Sequence, residues 1–149
     1  TVADNTETTF RTIGRSYVRA GGLACDFTAS GIEFAAHCSG PVYVKIQSSA
    51  LCYYTLYING VRQSGRIMIN TNNANWVQIA YVAEGDYTFT LVKQSQPSMA
   101  RTELLEVKLN GNFKDKPAEK DLFIEFYGNF KPHIPFFTPY KFKIYNFIP

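Results

Sequence analysis

Apolar and polar side chains alternate at every second position along much of this chain. The segments PVYVKIQ (41–47), DYTFTLVK (86–93) and ELLEVKLN (103–110) all follow this pattern. Alternation with a period of two is typical of a strand that buries one face. The aromatic and β-branched run CYYTLYI (52–58) also favours a strand. Because helical periodicity is hard to find anywhere, the pattern predicts an all-β protein.

Turn signals separate these runs. Asn59-Gly60 predicts a tight hairpin, because both positions tolerate a positive φ. Further turns are expected at residues 29–31, 39–41 and 84–86. Short strands at regular spacing predict an antiparallel β-sandwich of the jelly-roll type, with about 8–10 strands. The predicted strands are 11–19, 23–28, 31–38, 41–47, 51–58, 61–69, 76–83, 86–94, 103–110 and 121–127.

Composition divides the chain into four parts. Residues 1–10 are an N-terminal extension, and residues 11–113 form the sandwich. A polar linker at 114–120 contains Pro117. Residues 121–149 hold a short apolar strand and an aromatic tail with four of the seven prolines. We expect that tail to pack on the sandwich or on a second copy of the chain, because an exposed stretch this apolar would aggregate.

Length, composition and charge argue against a disordered protein and against nucleic-acid or membrane partners. The 149 residues correspond to one domain, and 46% hydrophobic against 18% charged residues disfavours disorder. Residues 1–125 carry 12 basic and 12 acidic groups, so the net charge of +3 comes from the tail. We therefore expect no nucleic-acid partner. We also expect no membrane partner, because no run reaches the ~18 apolar residues of a spanning helix.

Cysteine and histidine spacing gives no metal signal. Cys25, Cys38 and Cys52 form no CxxC motif, and His37 and His133 lie far apart. We favour three buried thiols over the alternative, a Cys25–Cys38 disulfide. His37 and Cys38 are strand neighbours and should point to opposite faces, which argues against a thiol dyad. We interpret His133 as an ordinary loop residue, and no cofactor or metal is expected.

Aromatic side chains and one amide-rich loop are the candidates for ligand binding. Sugars stack their C–H faces on exposed rings, while amides bind their hydroxyls. The candidate carbohydrate-binding residues are Trp76, Tyr81, Tyr54, Tyr43, Asn73 and Asn75. The alternative interpretation is that Trp76 belongs to the core and that NTNNAN (70–75) is only a loop. A calcium site there is not expected, because residues 61–83 contain no Asp or Glu.

Five segments suggest a family when they are taken in order. They are IGRSYV (13–18), ASGIEFAAHCSGPVYVKI (29–46), YYTLYINGV (53–61), EGDYTFTLVKQSQ (84–96) and DLFIEFYGN (121–129). Together they resemble the N-terminal half of family 2 carbohydrate esterases, which deacetylate plant cell-wall polysaccharides. The resemblance implies a jelly-roll sandwich that precedes an SGNH-type hydrolase domain. It also implies a secreted protein whose partner is plant cell-wall polysaccharide.

The chain departs from that family at several positions. Asn59 replaces the usual Asp, and Ser95-Gln96 replaces Thr-Glu after the retained Lys93. Gly128-Asn129-Phe130 stands where the family has Gly-Asp-Ser, so Phe130 occupies the position of the nucleophile. Phe130 carries no hydroxyl with which to attack an acetyl carbonyl. We expect the tail to reflect either a truncated or frameshifted hydrolase domain or a functional strap.

Three functions compete at this stage. The preferred one is a non-catalytic, carbohydrate-associated β-sandwich module. The second is a structural module that forms a homodimer through the aromatic tail, which would cover a face left apolar. The third, and the least favoured, is a deacetylase that acts through carboxylates such as Glu84 and Asp86.

Overall fold

The computed structural model describes residues 2–4, 9–19, 22–70, 72–94, 100–118, 122–123 and 145–146. The chain divides into two compact units, Thr1–Pro117 and Ala118–Pro149. The strands of the first unit are β1 (Val2–Asp4), β2 (Arg11–Ile13), β3 (Tyr17–Arg19), β4 (Gly22–Ala24), β5 (Gly31–Ser48), β6 (Cys52–Ile58), β7 (Val61–Arg62), β8 (Ile67–Ile69), β9 (Asn75–Lys93) and β10 (Thr102–Phe113).

These ten strands form one antiparallel sheet, which confirms the all-β prediction. The strand order is β3-β4-β10-β5-β9-β6-β7, with β1 beside β10, β2 beside β5 and β8 beside β6. Within the described residues there is no helix. Correspondingly, none of them forms an apolar helix long enough to cross a membrane.

Two predicted turns are instead places where long strands continue. The predicted strands 31–38 and 41–47 are both part of β5, and the predicted strands 76–83 and 86–94 are both part of β9. The pairing of β5 with β9 shifts register between Cys38 and Gly40, and Gly40 has a φ of 77°. A bulge of this kind bends a strand without reversing it. The Asn59-Gly60 turn is confirmed, with φ angles of 51° and 78°.

The sheet closes over its own buried face. The hydroxyl of Tyr54 on β6 lies 2.6 Å from Oγ1 of Thr102 on β10. Since β5 and β9 separate these strands, a flat sheet would hold them about 14 Å apart. The folded-over sheet is the sandwich that the alternation predicts, while the jelly-roll connectivity stays a prediction.

One core fills the space between the two halves of the sheet. The core side chains of β5 all occupy even positions, from Ile32 to Ile46. Phe34 stacks on Phe89 at 5.1 Å between ring centroids, and Phe10 meets Phe34 edge-on at 5.6 Å. The even positions from Val42 to Ile46 therefore belong to the core, and Tyr43 and Lys45 between them face outward.

An interior polar cluster, formed by Cys25, Tyr54, Lys93 and Thr102, lies within this core. Lys93 is 1% exposed, and its Nζ donates to the carbonyl oxygens of Asp26 at 2.8 Å and Ala100 at 2.5 Å. Thr102 donates its hydroxyl to the Cys25 carbonyl at 2.7 Å, so the Tyr54 hydroxyl donates to Thr102. Buried polar groups need such partners because water cannot reach them.

Burial changes the acid–base properties of this cluster. It raises the pKa of the Cys25 thiol to about 12, and nearby Lys93 opposes that shift. The same burial lowers the pKa of Lys93, because the ammonium loses its hydration. All three cysteines are buried free thiols, as the preferred interpretation predicted.

The second unit contains one described strand pair. Strands β11 (Leu122–Phe123) and β12 (Tyr145–Asn146) pair antiparallel, with Leu122 opposite Asn146. The predicted strand 121–127 therefore coincides in part with β11. Phe130, His133 and most of the aromatic tail lie outside the described residues.

Candidate functional site

The pairing of β5 with β9 brings three of the predicted aromatic residues to one surface. The directly opposed pairs are Pro41–Tyr81, Tyr43–Gln78 and Lys45–Trp76. Residues opposite one another in an antiparallel pair point to the same side, and alternate residues of β5 share a face. Tyr43, Trp76 and Tyr81 therefore lie on the same outward side of the sheet.

A bulge in β9 makes this arrangement possible. Trp76 and Tyr81 are five positions apart, so plain alternation would place them on opposite faces. The register shifts between Val42 and Tyr43, where Ile79 becomes an extra residue on β9. Ile79 turns inward to the core, and Tyr81 returns to the outward side, where it is 76% exposed.

Strand β10 supplies the charged part of the same surface. Lys108 lies opposite Tyr43, and Glu106 lies opposite Lys45. We call this surface the outer strip. It consists of Pro41, Tyr43 and Lys45 of β5, Trp76, Gln78 and Tyr81 of β9, and Glu106 and Lys108 of β10.

Two lysines of the outer strip lie close to its rings. Lys108 Nζ lies 4.5 Å from the ring centroid of Trp76 and 5.0 Å from that of Tyr43. Lys45 Nζ lies 5.8 Å from the Trp76 ring and 2.8 Å from Oε2 of Glu106. Ammonium groups at these distances are attracted to the negative faces of aromatic rings. Lys108 of β10 thus contacts both half-buried rings, those of Tyr43 and Trp76.

An open groove lies at each end of the outer strip. The first groove, of about 300 Å³, is lined by Pro41, Tyr43, Lys108, Leu109 and Asn110. The second, of about 340 Å³, is lined by Gln47, Ser48, Ser49, Asn72, Arg101 and Glu103. Residues 41 and 49 of the extended chain are about 26 Å apart, so the two grooves and the rings between them form a long, shallow surface.

The predicted asparagines lie beside this surface. Asn75 begins β9, and its Oδ1 accepts a hydrogen bond from the Trp76 amide at 2.9 Å. Asn73 is exposed in the preceding turn. The neighbouring Asn72 lines the second groove. The amide-rich loop therefore adjoins Trp76 as expected.

Tyr54 requires a correction. Its side chain is 0% exposed and belongs to the interior polar cluster. A ring that packs in the core cannot stack on a sugar at the surface, so the prediction is wrong at this position. Tyr54 lies in the same aromatic run as Tyr53 and Tyr57, and alternation within that run does not reveal which face is buried.

Sequence reasoning missed the charged members of the site. The alternation in residues 103–110 does place Glu106 and Lys108 on one side of their strand. Their position beside Tyr43 and Trp76 depends on the pairing of β10 with β5, which brings together residues far apart in sequence. Strand pairing of this kind cannot be obtained from the pattern of a single strand.

A second polar group lies elsewhere on the first unit. His37 Nδ1 is 2.9 Å from Asp86 Oδ1, and Lys114 Nζ is 2.6 Å from the same oxygen. Hydrogen bonds from Lys114 and then His37 hold the pKa of Asp86 below its usual range. His37 is outward and Cys38 is buried, which confirms that they cannot form a dyad. In the described part of the chain, no group of His, Cys, Asp and Glu is suited to a metal ion.

Comparison with solved structures gives three informative likenesses. A family two carbohydrate esterase from Clostridium thermocellum, in complex with cellohexaose, matches with a TM-score of 0.70, 20% identity and 80% of this chain. An acetyl xylan esterase from the rumen bacterium Butyrivibrio proteoclasticus matches with a TM-score of 0.67, 15% identity and 79% of this chain. A carbohydrate-binding module, CBM36, in complex with calcium and xylotriose, matches with a TM-score of 0.57, 17% identity and 74% of this chain.

The coverage differs between these likenesses. This chain spans 37% and 34% of the two esterase chains, but 99% of the carbohydrate-binding module. No protein-family model matches the chain, and no curated protein matches it in sequence. At such low identities the likeness establishes a shared β-sandwich fold.

Proposed function

We propose that this chain is a non-catalytic, carbohydrate-associated β-sandwich module that binds plant cell-wall polysaccharide along the outer strip. The observation that carries the proposal is the placement of Tyr43, Trp76 and Tyr81 on one outward face by the bulge in β9. Without the extra residue in β9, Trp76 and Tyr81 would lie on opposite faces of the sheet. We also propose, from the family resemblance, that the protein is secreted.

The chemistry of the outer strip suits a sugar chain. Aromatic rings offer flat apolar surfaces to the C–H faces of sugars. Gln78 within the outer strip and Asn75 beside it are exposed and carry amides that can bond hydroxyl groups. The long, open shape fits an extended polymer better than a small enclosed ligand. No step of this binding needs a nucleophile, so the role assigned to Phe130 does not affect it.

The comparisons support the same proposal. One similar solved esterase holds cellohexaose, and the similar carbohydrate-binding module holds xylotriose. Both ligands are chains of β-linked sugars. The module that this chain covers almost completely is thus a sugar-binding protein in its own right.

Affinity electrophoresis in gels with and without acetylated xylan or hydroxyethyl cellulose tests the proposal. We expect the wild-type chain to be retarded by at least one of these polymers. Trp76→Ala and Tyr43→Ala should each weaken the retardation at least tenfold. Tyr53→Ala is the matched control, because Tyr53 also stacks with a cation, Arg66, at 4.2 Å, but lies on β6 outside the outer strip.

Two results would contradict the proposal. Wild-type mobility that is unchanged in every polymer would remove the binding function. Equal weakening by Tyr53→Ala and Trp76→Ala would show that binding does not use the outer strip. Hydrolysis of acetylated xylan by the chain, above the buffer rate, would contradict the non-catalytic part of the proposal separately.

The second candidate function is a structural module that accompanies a catalytic domain. This chain spans about a third of the two esterases, which is the length expected of such an accompanying domain.

The homodimer through residues 121–149 stays a prediction, since most of those residues lie outside the described part. Sedimentation equilibrium of the full chain tests it, and a monomer at all concentrations would contradict it.

A further inference from the structure

Lys108 differs from the other cation of the outer strip in having no acidic partner. The charge of Lys45 is balanced by Glu106 at 2.8 Å. Lys108 instead lies over the rings of Trp76 and Tyr43, and no carboxylate of the described residues pairs with it. Lys108 is therefore a cation of the outer strip that lies against aromatic rings rather than against a carboxylate.

The position of Lys108 makes this charge available to a ligand. The residue lines the first groove together with Tyr43 and Asn110, and the groove has the size of a small-molecule site. A lysine that only covered rings with its stem would turn its ammonium toward bulk water. Here the ammonium lies between two rings and beside an open groove. A sugar stacked on either ring would come within reach of it.

We propose that the outer strip prefers an acidic polysaccharide, and that Lys108 binds the carboxylate of a uronic acid residue while Tyr43 stacks on its ring. This inference rests on the proposed function and names the chemical class of its ligand. Charge complementarity carries it, because the Lys108 ammonium contacts two rings but no carboxylate of the outer strip, and a uronic acid would supply one. A charge-assisted hydrogen bond to a carboxylate is stronger than one to a neutral hydroxyl.

Several features of the binding follow from this geometry. The outer strip is exposed, so dissolved salt should screen the ion pair and weaken acidic ligands more than neutral ones. An exposed ion pair is modest by itself, but the aromatic stacking holds the sugar in place. We therefore expect a preference of about tenfold for the acidic ligand at low salt, decreasing toward equality in about 0.5 M salt.

Calorimetric titration of the full chain with three defined oligosaccharides tests this inference. The ligands are xylohexaose, a xylo-oligosaccharide of the same length that carries one glucuronate branch, and hexagalacturonate. We expect at least one acidic ligand to bind about tenfold more tightly than xylohexaose. Lys108→Gln should remove that preference, so that the acidic ligand and xylohexaose bind this variant with equal affinity. Arg66→Gln is the matched control, because it removes a cation from the Tyr53 ring outside the outer strip.

The outcomes separate this inference from the proposed function. Equal binding of all three ligands would overturn the preference for acidic chains but would leave carbohydrate binding in place. A preference that survives in Lys108→Gln, or is lost equally in Arg66→Gln, would overturn the role of Lys108. If none of the three ligands nor any polymer of the electrophoresis test binds, both proposals fail together.

Discussion

Lys93 and Lys108 both lie on long strands of the same sheet, in opposite surroundings. Lys93 is 1% exposed, and its ammonium donates to two backbone carbonyls in the interior polar cluster. Lys108 lies outside the core, with its ammonium over two rings of the outer strip. The interior cluster joins its buried polar groups to one another and to the backbone by hydrogen bonds. The outer strip instead holds a charge that contacts rings and no carboxylate of the strip, so that a ligand at the surface can reach it.

The same contrast separates two tyrosines. Tyr54 is buried, and its hydroxyl donates a hydrogen bond to Thr102. Tyr43 is half-buried, and its ring faces outward. Both come from strands rich in aromatic and β-branched residues. Their roles differ because the Tyr54 side chain points to the core side of its strand and the Tyr43 side chain points to the outward side. Changes in the interior should therefore alter stability, and changes in the outer strip should alter binding.

The largest effect on stability is expected from Lys93→Ala. This variant loses both hydrogen bonds of the ammonium and leaves a cavity where the stem packed, at a cost of about 3–5 kcal/mol. Urea denaturation followed by fluorescence measures the change. Lys93→Met is the control, because it keeps most of the stem and should cost less. An unfolding free energy of Lys93→Ala equal to that of wild type would contradict this role.

The second-largest loss of stability is expected from a rise in pH above about 9. The pKa of Cys25 in the folded chain, about 12, exceeds the ordinary value of 9.0 for an exposed thiol. The unfolded chain therefore releases the proton first, and stability is lost from about pH 9 upward at up to about 1.4 kcal/mol per pH unit. The lowered pKa of Lys93 acts in the opposite direction, and the raised pKa of Cys52 adds to the loss.

Thermal unfolding between pH 8 and pH 11 measures this effect. The wild-type melting temperature should stay nearly constant up to about pH 9 and then decrease toward pH 11. The melting temperature of Cys25→Ala should decrease less, because one source of the pH dependence is removed. Parallel decreases in the two proteins would show that Cys25 does not cause the loss.

A smaller effect is expected from Tyr54→Phe. This change removes the bond to Thr102 and keeps the packing of the ring, so we expect a loss of about 1–1.5 kcal/mol. Thr102 retains its own bond to the Cys25 carbonyl, which limits the cost. Chemical denaturation gives the value. Polymer retardation should be unchanged, and a loss of binding in this folded variant would break the separation of the two regions.

The smallest effect on stability is expected from Trp76→Ala. The ring lies outside the core cluster and its main contacts are with two lysines, so the loss should stay below about 1 kcal/mol. The same variant should lose polymer binding at least tenfold. A loss of several kcal/mol in the denaturation midpoint analysis would instead place Trp76 in the structural core.

The sequence predicted the fold class, and it named some of the residues that strand pairing brings together in the outer strip. Alternation in 41–47, 86–93 and 103–110 identified strands because one face of each is buried. The Asn59-Gly60 hairpin followed from backbone freedom at two positions. The continuity of β5 through Gly40 could not be predicted, because a glycine that opens a turn and a glycine that permits a bulge look alike in sequence.

The site depended on information that a single strand does not contain. Trp76 and Tyr43 were predicted from residue type, and their meeting required the pairing of β5 with β9. Tyr81 joins them only through the bulge at Ile79. Tyr54 was misassigned because its run is apolar on both sides. Lys108 was missed because it contacts rings of two other strands, and the sequence of its own strand does not show those contacts.

The most direct test of the account is a nuclear magnetic resonance titration of isotope-labelled chain with a xylo-oligosaccharide that carries glucuronate. The account predicts shifts of the Trp76 indole N–H and of amides in residues 41–47, 76–81 and 106–110. The amides around Lys93 and Tyr54 should not move. Shifts concentrated around His37 and Asp86, or spread evenly over both regions, would contradict a binding role for the outer strip.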